Sequence, residues 1–154
     1  MKTFLSAILM SALLLMGCAK DPVVADLAAL DRYVATSVLD PASQDVSQKM
    51  AAATTQAQRI ALLDDWLVAM EKNAAELARF KASTPEVGRI SQGFAEAIAL
   101  STEGAKDVRK ALATNNQLTM SDAAIKLSQG QSKMIEQEIA LKRLATEKGY
   151  KLAH

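Results

Sequence analysis

From Asp21 onward the apolar positions recur at three- and four-residue intervals, and strand-like alternation is absent. Asp21-Pro22 reads as an N-cap followed by proline at the first helical position, where a missing N–H costs nothing. Val24, Leu27, Leu30 (or Asp31) and Val34 then form one stripe, predicted to end near Leu39 because Asp40-Pro41 breaks the helix. From Ser43 a second stripe runs through Val46, Met50, Ala53, Ala57, Ile60, Leu63, Leu67, Met70, Ala74 and Leu77. It predicts one long helix with a narrow, alanine-rich seam, uninterrupted until Thr84-Pro85.

Thr84-Pro85 repeats the cap-plus-proline start. The third helix carries Val87, Ile90, Phe94, Ile98, Ser101, Ala105, Val108 and Leu112 on one face. The polar stretch Thr114 to Thr119 predicts a turn, and Thr119 with Asp122 approximates a capping box for the fourth helix. That helix presents Ala123, Leu127, Met134, Ile135, Leu141 and Leu144, and Gly149 supplies its stop. The fold class is therefore all-α: an antiparallel helical bundle of three long helices plus a shorter N-terminal helix, over residues 22–149, with 150–154 as a C-terminal tail.

The first twenty residues follow another pattern. Lys2 precedes an apolar run from Phe4 to Met16, broken only by Ser6 and Ser11, and small residues follow at Gly17 and Ala19. The run is shorter than the roughly 18–20 apolar residues a spanning helix needs, and Lys20 and Asp21 end it. Residues 1–17 therefore read as a cleaved signal peptide. Cys18 is the only cysteine, so it has no intrachain disulfide partner.

Leu15-Met16-Gly17-Cys18 resembles the lipobox of bacterial lipoproteins: a branched aliphatic residue, a variable one, a small one, then cysteine. Met16 departs from the smaller residues that the family favours there. The resemblance covers only the leader. It implies diacylglycerol on the Cys18 sulfur, cleavage after Gly17, acylation of the new amine, and 18–21 as a lipidated tether. In Gram-negative members of the family a residue other than aspartate after the cysteine implies the outer membrane, and Ala19 fits that, with the protein on the periplasmic face; the sequence itself does not give the Gram type. Two acyl chains anchor stably, since each buried methylene contributes about 0.8 kcal/mol. The competing reading is an ordinary secretory signal and a soluble product.

Charge narrows the partners. The chain has 18 basic and 17 acidic residues, and only Lys2 lies in the leader, leaving 17 of each sign. Such a balance gives no general reason to bind nucleic acid or an anionic membrane surface, so membrane attachment should come through Cys18 alone. Aromatics are only 4% of residues, which suits closely approaching helices better than a roomy ligand cavity.

Candidate chemistry is sparse. His154 is the only histidine and the final residue, a poor position for a base or ligand. The Glu-x-x-His pairs of di-iron bundles, Cys/His zinc ligands, haem-attachment motifs and phosphate loops are missing from the sequence, so no catalytic residue, metal or cofactor is assigned. Asp64-Asp65 and Glu136 with Glu138 do not share helix faces and read as solvated. Trp66 has two readings: a partner anchor, or a boundary core residue, which the sequence favours. Gly93, Gly104 and Gly130, the last within Ser128 to Ser132, predict close helix packing. The expected function is non-catalytic: a lipid-anchored periplasmic protein acting on a protein partner, as an assembly factor or an inhibitor of the immunity type. The alternative is a carrier of a small apolar ligand in an inter-helix cleft.

Overall fold

A computed structural model describes residues 21–38 and 41–153. The leader, Cys18 and the rest of the tether up to Lys20, the predicted break at Leu39-Asp40, and His154 lie outside the described residues. Five α-helices follow in order: α1 Pro22–Tyr33, α2 Pro41–Ala52, α3 Gln56–Arg79, α4 Pro85–Thr114 and α5 Gln117–Glu147. A π-helical turn, Val34–Val38, extends α1. Among the described residues there is no strand.

The three long helices pack as an antiparallel bundle with α4 in the middle. Cross-helix pairs give the sense: Glu71 and Asp64 on α3 meet Lys106 and Arg109 on α4, one numbering falling as the other rises. The α1 helix covers one end. Val23, Leu27, Leu30 and Val34 join Met70, Leu77, Val87, Ile90, Phe94, Ile98 and Leu141 in the main core. A second cluster of Leu63, Leu67 and Ala105 continues it, with Met50 of α2 against its edge.

Local chemistry sets the boundaries. Asp21 accepts from the Val23 N–H at 2.9 Å, and Pro22 follows, as predicted for an N-cap. At the start of α4, Thr84 has extended backbone but makes no side-chain cap of its own. Asp26 of α1 substitutes for it, accepting from the Thr84 N–H at 2.8 Å, the Thr84 hydroxyl at 2.7 Å and the Ser83 hydroxyl at 3.0 Å. Gly149 stops α5 with φ 63°; its N–H bonds Thr146 O at 3.1 Å and the Tyr150 N–H bonds Ala145 O at 2.8 Å, a Schellman closure.

Four expectations are corrected. The single long helix from Ser43 is two helices, parted at Ala53–Thr55. The Thr55 hydroxyl accepts from the Gln58 N–H at 3.2 Å while Gln58 Oε1 accepts from the Thr55 N–H at 3.1 Å. This reciprocal capping box starts a new helix inside an apolar stripe that runs on through it. The α5 cap is Asn116 rather than Thr119: its side chain accepts from the N–H groups of Leu118 and Thr119, at 3.0 and 3.2 Å. Asn115 just before it takes φ 51°, so two asparagines end α4 and begin α5. Finally, Ile135 is on the solvent side of α5 rather than in the core, and Val23 rather than Val24 is the buried valine of α1.

Glycines bring α4 and α5 together. A Cβ built on Gly130 would stand 3.0 Å from the Ser101 nitrogen and 3.1 Å from the Ala97 carbonyl oxygen. One built on Gly104 would stand 3.0 Å from the Leu127 nitrogen. Only hydrogen fits between these backbones, and the predicted role of both glycines holds.

Candidate functional site

Packing against α4 uses one side of α5 and leaves the other in water. Ala123, Gly130, Leu141 and Ala145 are buried, as the inner seam requires. On the opposite side Leu118, Ile125, Ile135 and Ile139 are 79, 55, 50 and 62% exposed. Leu118, Ile125 and Ile139 fall on a seven-residue repeat that Ser132 completes, and Ser121, Ser128 and Ile135 fill the positions between. Solitary exposed apolar residues are ordinary, whereas these four share one helix face. The sequence reading passed over this row. Its signal was there, in isoleucines spaced by heptads beside a separate inner seam.

The flanks of α5 are held by ion pairs to α4. Lys126 donates to Asp107 at 2.7 Å, and Lys133 pairs with Glu96. Those partners raise both lysines above their ordinary values, and the Lys133 ammonium holds the Glu96 carboxyl down. These pairs flank the seam; burial of Ala123, Gly130, Leu141 and Ala145 against the bundle is what turns the isoleucines outward.

The residues singled out from sequence are dispersed. Trp66 is half-buried and packs against both core clusters, bridging them. Asp64 is held by a two-point clamp: Arg109 donates through Nε to Oδ1 and through Nη2 to Oδ2, the latter at 3.2 Å. The Arg109 guanidinium holds the Asp64 carboxyl below its ordinary value. Asp65 points to solvent. Glu138 reaches Lys142 on its own helix at 3.9 Å, and Glu136 is exposed. No carboxylate pair of catalytic geometry results from these four residues.

One ionisable group the sequence reading left ambiguous is deeply buried. Asp31 is 1% exposed and accepts at Oδ2 from the Tyr150 hydroxyl at 3.0 Å and the Ala153 N–H at 2.9 Å. It ties the segment after Gly149 to α1, while Tyr150 and Leu152 pack on the main core. Lys148 also donates to Asp21 at 3.0 Å, holding its carboxyl below the ordinary value.

Among the described residues, two surface depressions lie beside α5. One of about 230 Å³ lies where α3 begins and α4 turns into α5, lined by Gln56, Arg59, Asn115, Asn116 and Gln117. The other, about 410 Å³, runs between α4 and α5 beside Asp107, Thr119, Asp122, Lys126 and Gln129. Both are open to solvent and mixed in lining, with Leu112 and Met120 in the first and Ile125 in the second, so neither encloses a cargo. Among the described residues, no group of three or more His, Cys, Asp or Glu is placed to hold a metal ion, and no helix is long and apolar enough to cross a membrane.

The fold thus defines an all-α antiparallel bundle with an apolar row on its edge helix. Set against protein-family models, curated proteins and solved structures, the chain finds no match.

Proposed function

We propose that this protein is a lipid-anchored component of the bacterial cell envelope that works by binding protein rather than by catalysis. The observation that carries the anchoring is Leu15-Met16-Gly17-Cys18, a lipobox-like stretch closing an apolar leader. Cys18 would take the lipid, and Ala19 favours the periplasmic face of the outer membrane as its destination. The exposed row on α5 supports the binding role, because a patch of this kind is costly to leave in water without a use. An assembly factor for envelope machinery and an inhibitor of the immunity type both fit this reading.

The test has two arms. Cys18→Ser should shift the chain from the membrane fraction to the soluble periplasm; a variant that stays membrane-bound after leader cleavage overturns the anchor. Crosslinking on intact membranes, comparing the native chain with Cys18→Ser, should capture a reproducible protein adduct. Recovery of a bound lipid or other apolar molecule instead would favour the carrier reading.

A further inference from the structure

The exposed row on α5 forms a second heptad seam, distinct from the one facing α4. Taking Leu118, Ile125, Ser132 and Ile139 as one set, Ser121, Ser128, Ile135 and Lys142 form the alternate set. All eight are solvent-exposed, and α5 is the edge helix of the bundle, so a whole helix can approach along this line. A seam of two such sets is the pattern by which one helix receives another.

The order of large and small residues selects the partner's direction. In an antiparallel pairing, the first set of one helix meets the second set of the other. Aligning α5 with a reversed copy of itself places Ile125 opposite Ile135, Ser121 opposite Ile139 and Ser128 opposite Ser132. Leu118 falls under the long aliphatic stem of Lys142. Each large residue meets another apolar group or a small residue, and no layer sets two like charges together.

Charge points to the same register. The flanking positions that meet across this antiparallel seam are Asp122 with Arg143 and Gln129 with Glu136. By the two-fold symmetry each pair occurs twice, so Asp122 and Arg143 close both ends with opposite charges. In a parallel pairing the seam would instead stack Lys142 on Lys142. Arg143 is free to reorient: its present partner, Glu147 at 2.9 Å, is an exposed neighbour one turn away, and such pairs hold weakly.

We infer that the outer face of α5 is a self-association surface, on which a second copy of this chain docks antiparallel about Ile125, Ile135 and an Asp122–Arg143 pair at each end. This rests on the reading of that face as a protein-binding surface and names its occupant. The dimer would place α3 of each copy outermost, with α4 between it and α5, leaving the inner contacts of α5 unchanged.

Sedimentation equilibrium on the purified full chain, in mild detergent where lipid requires it, tests the pairing. The native chain should show a reversible monomer–dimer equilibrium. Ile135→Asp should raise its dissociation constant by about a hundredfold or more, since two layers are lost per dimer. Its far-ultraviolet helical signal should stay native because the position faces water. Asp122→Arg and Arg143→Asp should each weaken the dimer by roughly tenfold, and the double variant should restore it. A monomer at every concentration, a dimer indifferent to Ile135→Asp, or a charge swap that fails to restore association overturns the inference. If the chain is monomeric and Ile135→Asp abolishes an adduct with a different protein in the membrane crosslinking, self-association is wrong while the protein-binding function stands.

Discussion

Gly130 of α5 lies against Ser101 of α4, where a Cβ on the glycine would stand 3.0 Å from the serine nitrogen. The Ser101 hydroxyl oxygen stands nearest and could rotate away, but behind it lie backbone atoms, the Ser101 nitrogen and the Ala97 carbonyl oxygen at 3.1 Å, which cannot swing aside. Gly88, in the first turns of the same α4, meets only the Ala82 Cβ at 3.8 Å, an ordinary contact.

The two glycines should therefore respond to alanine with opposite signs. Gly88→Ala should stabilise by up to about 1 kcal/mol, the usual helix preference for alanine over glycine. Gly130→Ala gains the same preference but forces α4 and α5 apart, for a net loss of roughly 1–3 kcal/mol. Urea unfolding of both variants measures the contrast. Equal stabilisation at the two positions would refute the close approach.

Leu67 and Trp66 provide a test of the core. Leu67 is buried, so Leu67→Ala should cost about 2–5 kcal/mol through lost contacts and a residual cavity. Trp66 bridges the two core clusters from a half-buried position, and Trp66→Ala should cost roughly 2 kcal/mol. Calorimetric melting of both reads this out. A Trp66→Ala variant that melts like the native chain, while losing a membrane crosslink, would restore Trp66 as a partner contact.

Asp26 makes the joint between α1 and α4 sensitive to acid. Burial pushes its carboxyl up, but the hydrogen bonds from Thr84 and Ser83 outweigh this and leave it below its ordinary value. A carboxyl depressed in the folded state stabilises above its unfolded value, near 4, and that contribution is lost as pH falls through the folded value. Asp26→Asn should accordingly flatten the loss of stability below about pH 4, while Asp26→Ala should cost about 1–2 kcal/mol at neutral pH by removing the cap of α4. Denaturant midpoints between pH 2 and pH 7, on an approximate grid set by these values, check both.

Tyr33 carries the opposite signature. Burial, with the nearby Glu76 charge adding to it, pushes its hydroxyl up to about 12, and that hydroxyl donates to the Asn73 carbonyl at 2.6 Å. A raised value means stability fully present below the ordinary tyrosine range and lost as pH rises through the folded value. Ultraviolet titration should show a phenol ionising near 12, absent from Tyr33→Phe. Ionisation of both tyrosines at the unperturbed value near 10 would contradict the α1–α3 contact.

What the sequence made legible was the chemistry of near neighbours. Asp21-Pro22, Thr84-Pro85 and Gly149 announced their boundaries because capping and chain reversal act over a few residues. The Thr55–Gln58 box is equally local, yet apolar periodicity ran unbroken through it and masked the break. Ile135 was misassigned because α5 has two apolar lines, and periodicity alone does not say which faces the bundle. Nothing near Asp31 or Asp64 foretells Tyr150 or Arg109, since those partners meet only after the helices pack. The outer row of α5 was readable in principle, through Leu118, Ile125 and Ile139, but only once Ala123, Gly130 and Leu141 were known to face inward.

The bond from Tyr150 to Asp31 joins residues 119 positions apart, and the Ala153 N–H reaches the same carboxylate from 122. The buried acid of α1 thus takes two of its hydrogen bonds from residues synthesised long after it. Until they arrive, the Tyr150 and Ala153 bonds that help hold α1 against the bundle are unmade. Closure over so long a separation comes late. The α1 end of the bundle is therefore fastened last, by residues 150–153, and a chain ending before Tyr150 would leave that end without its closing bonds.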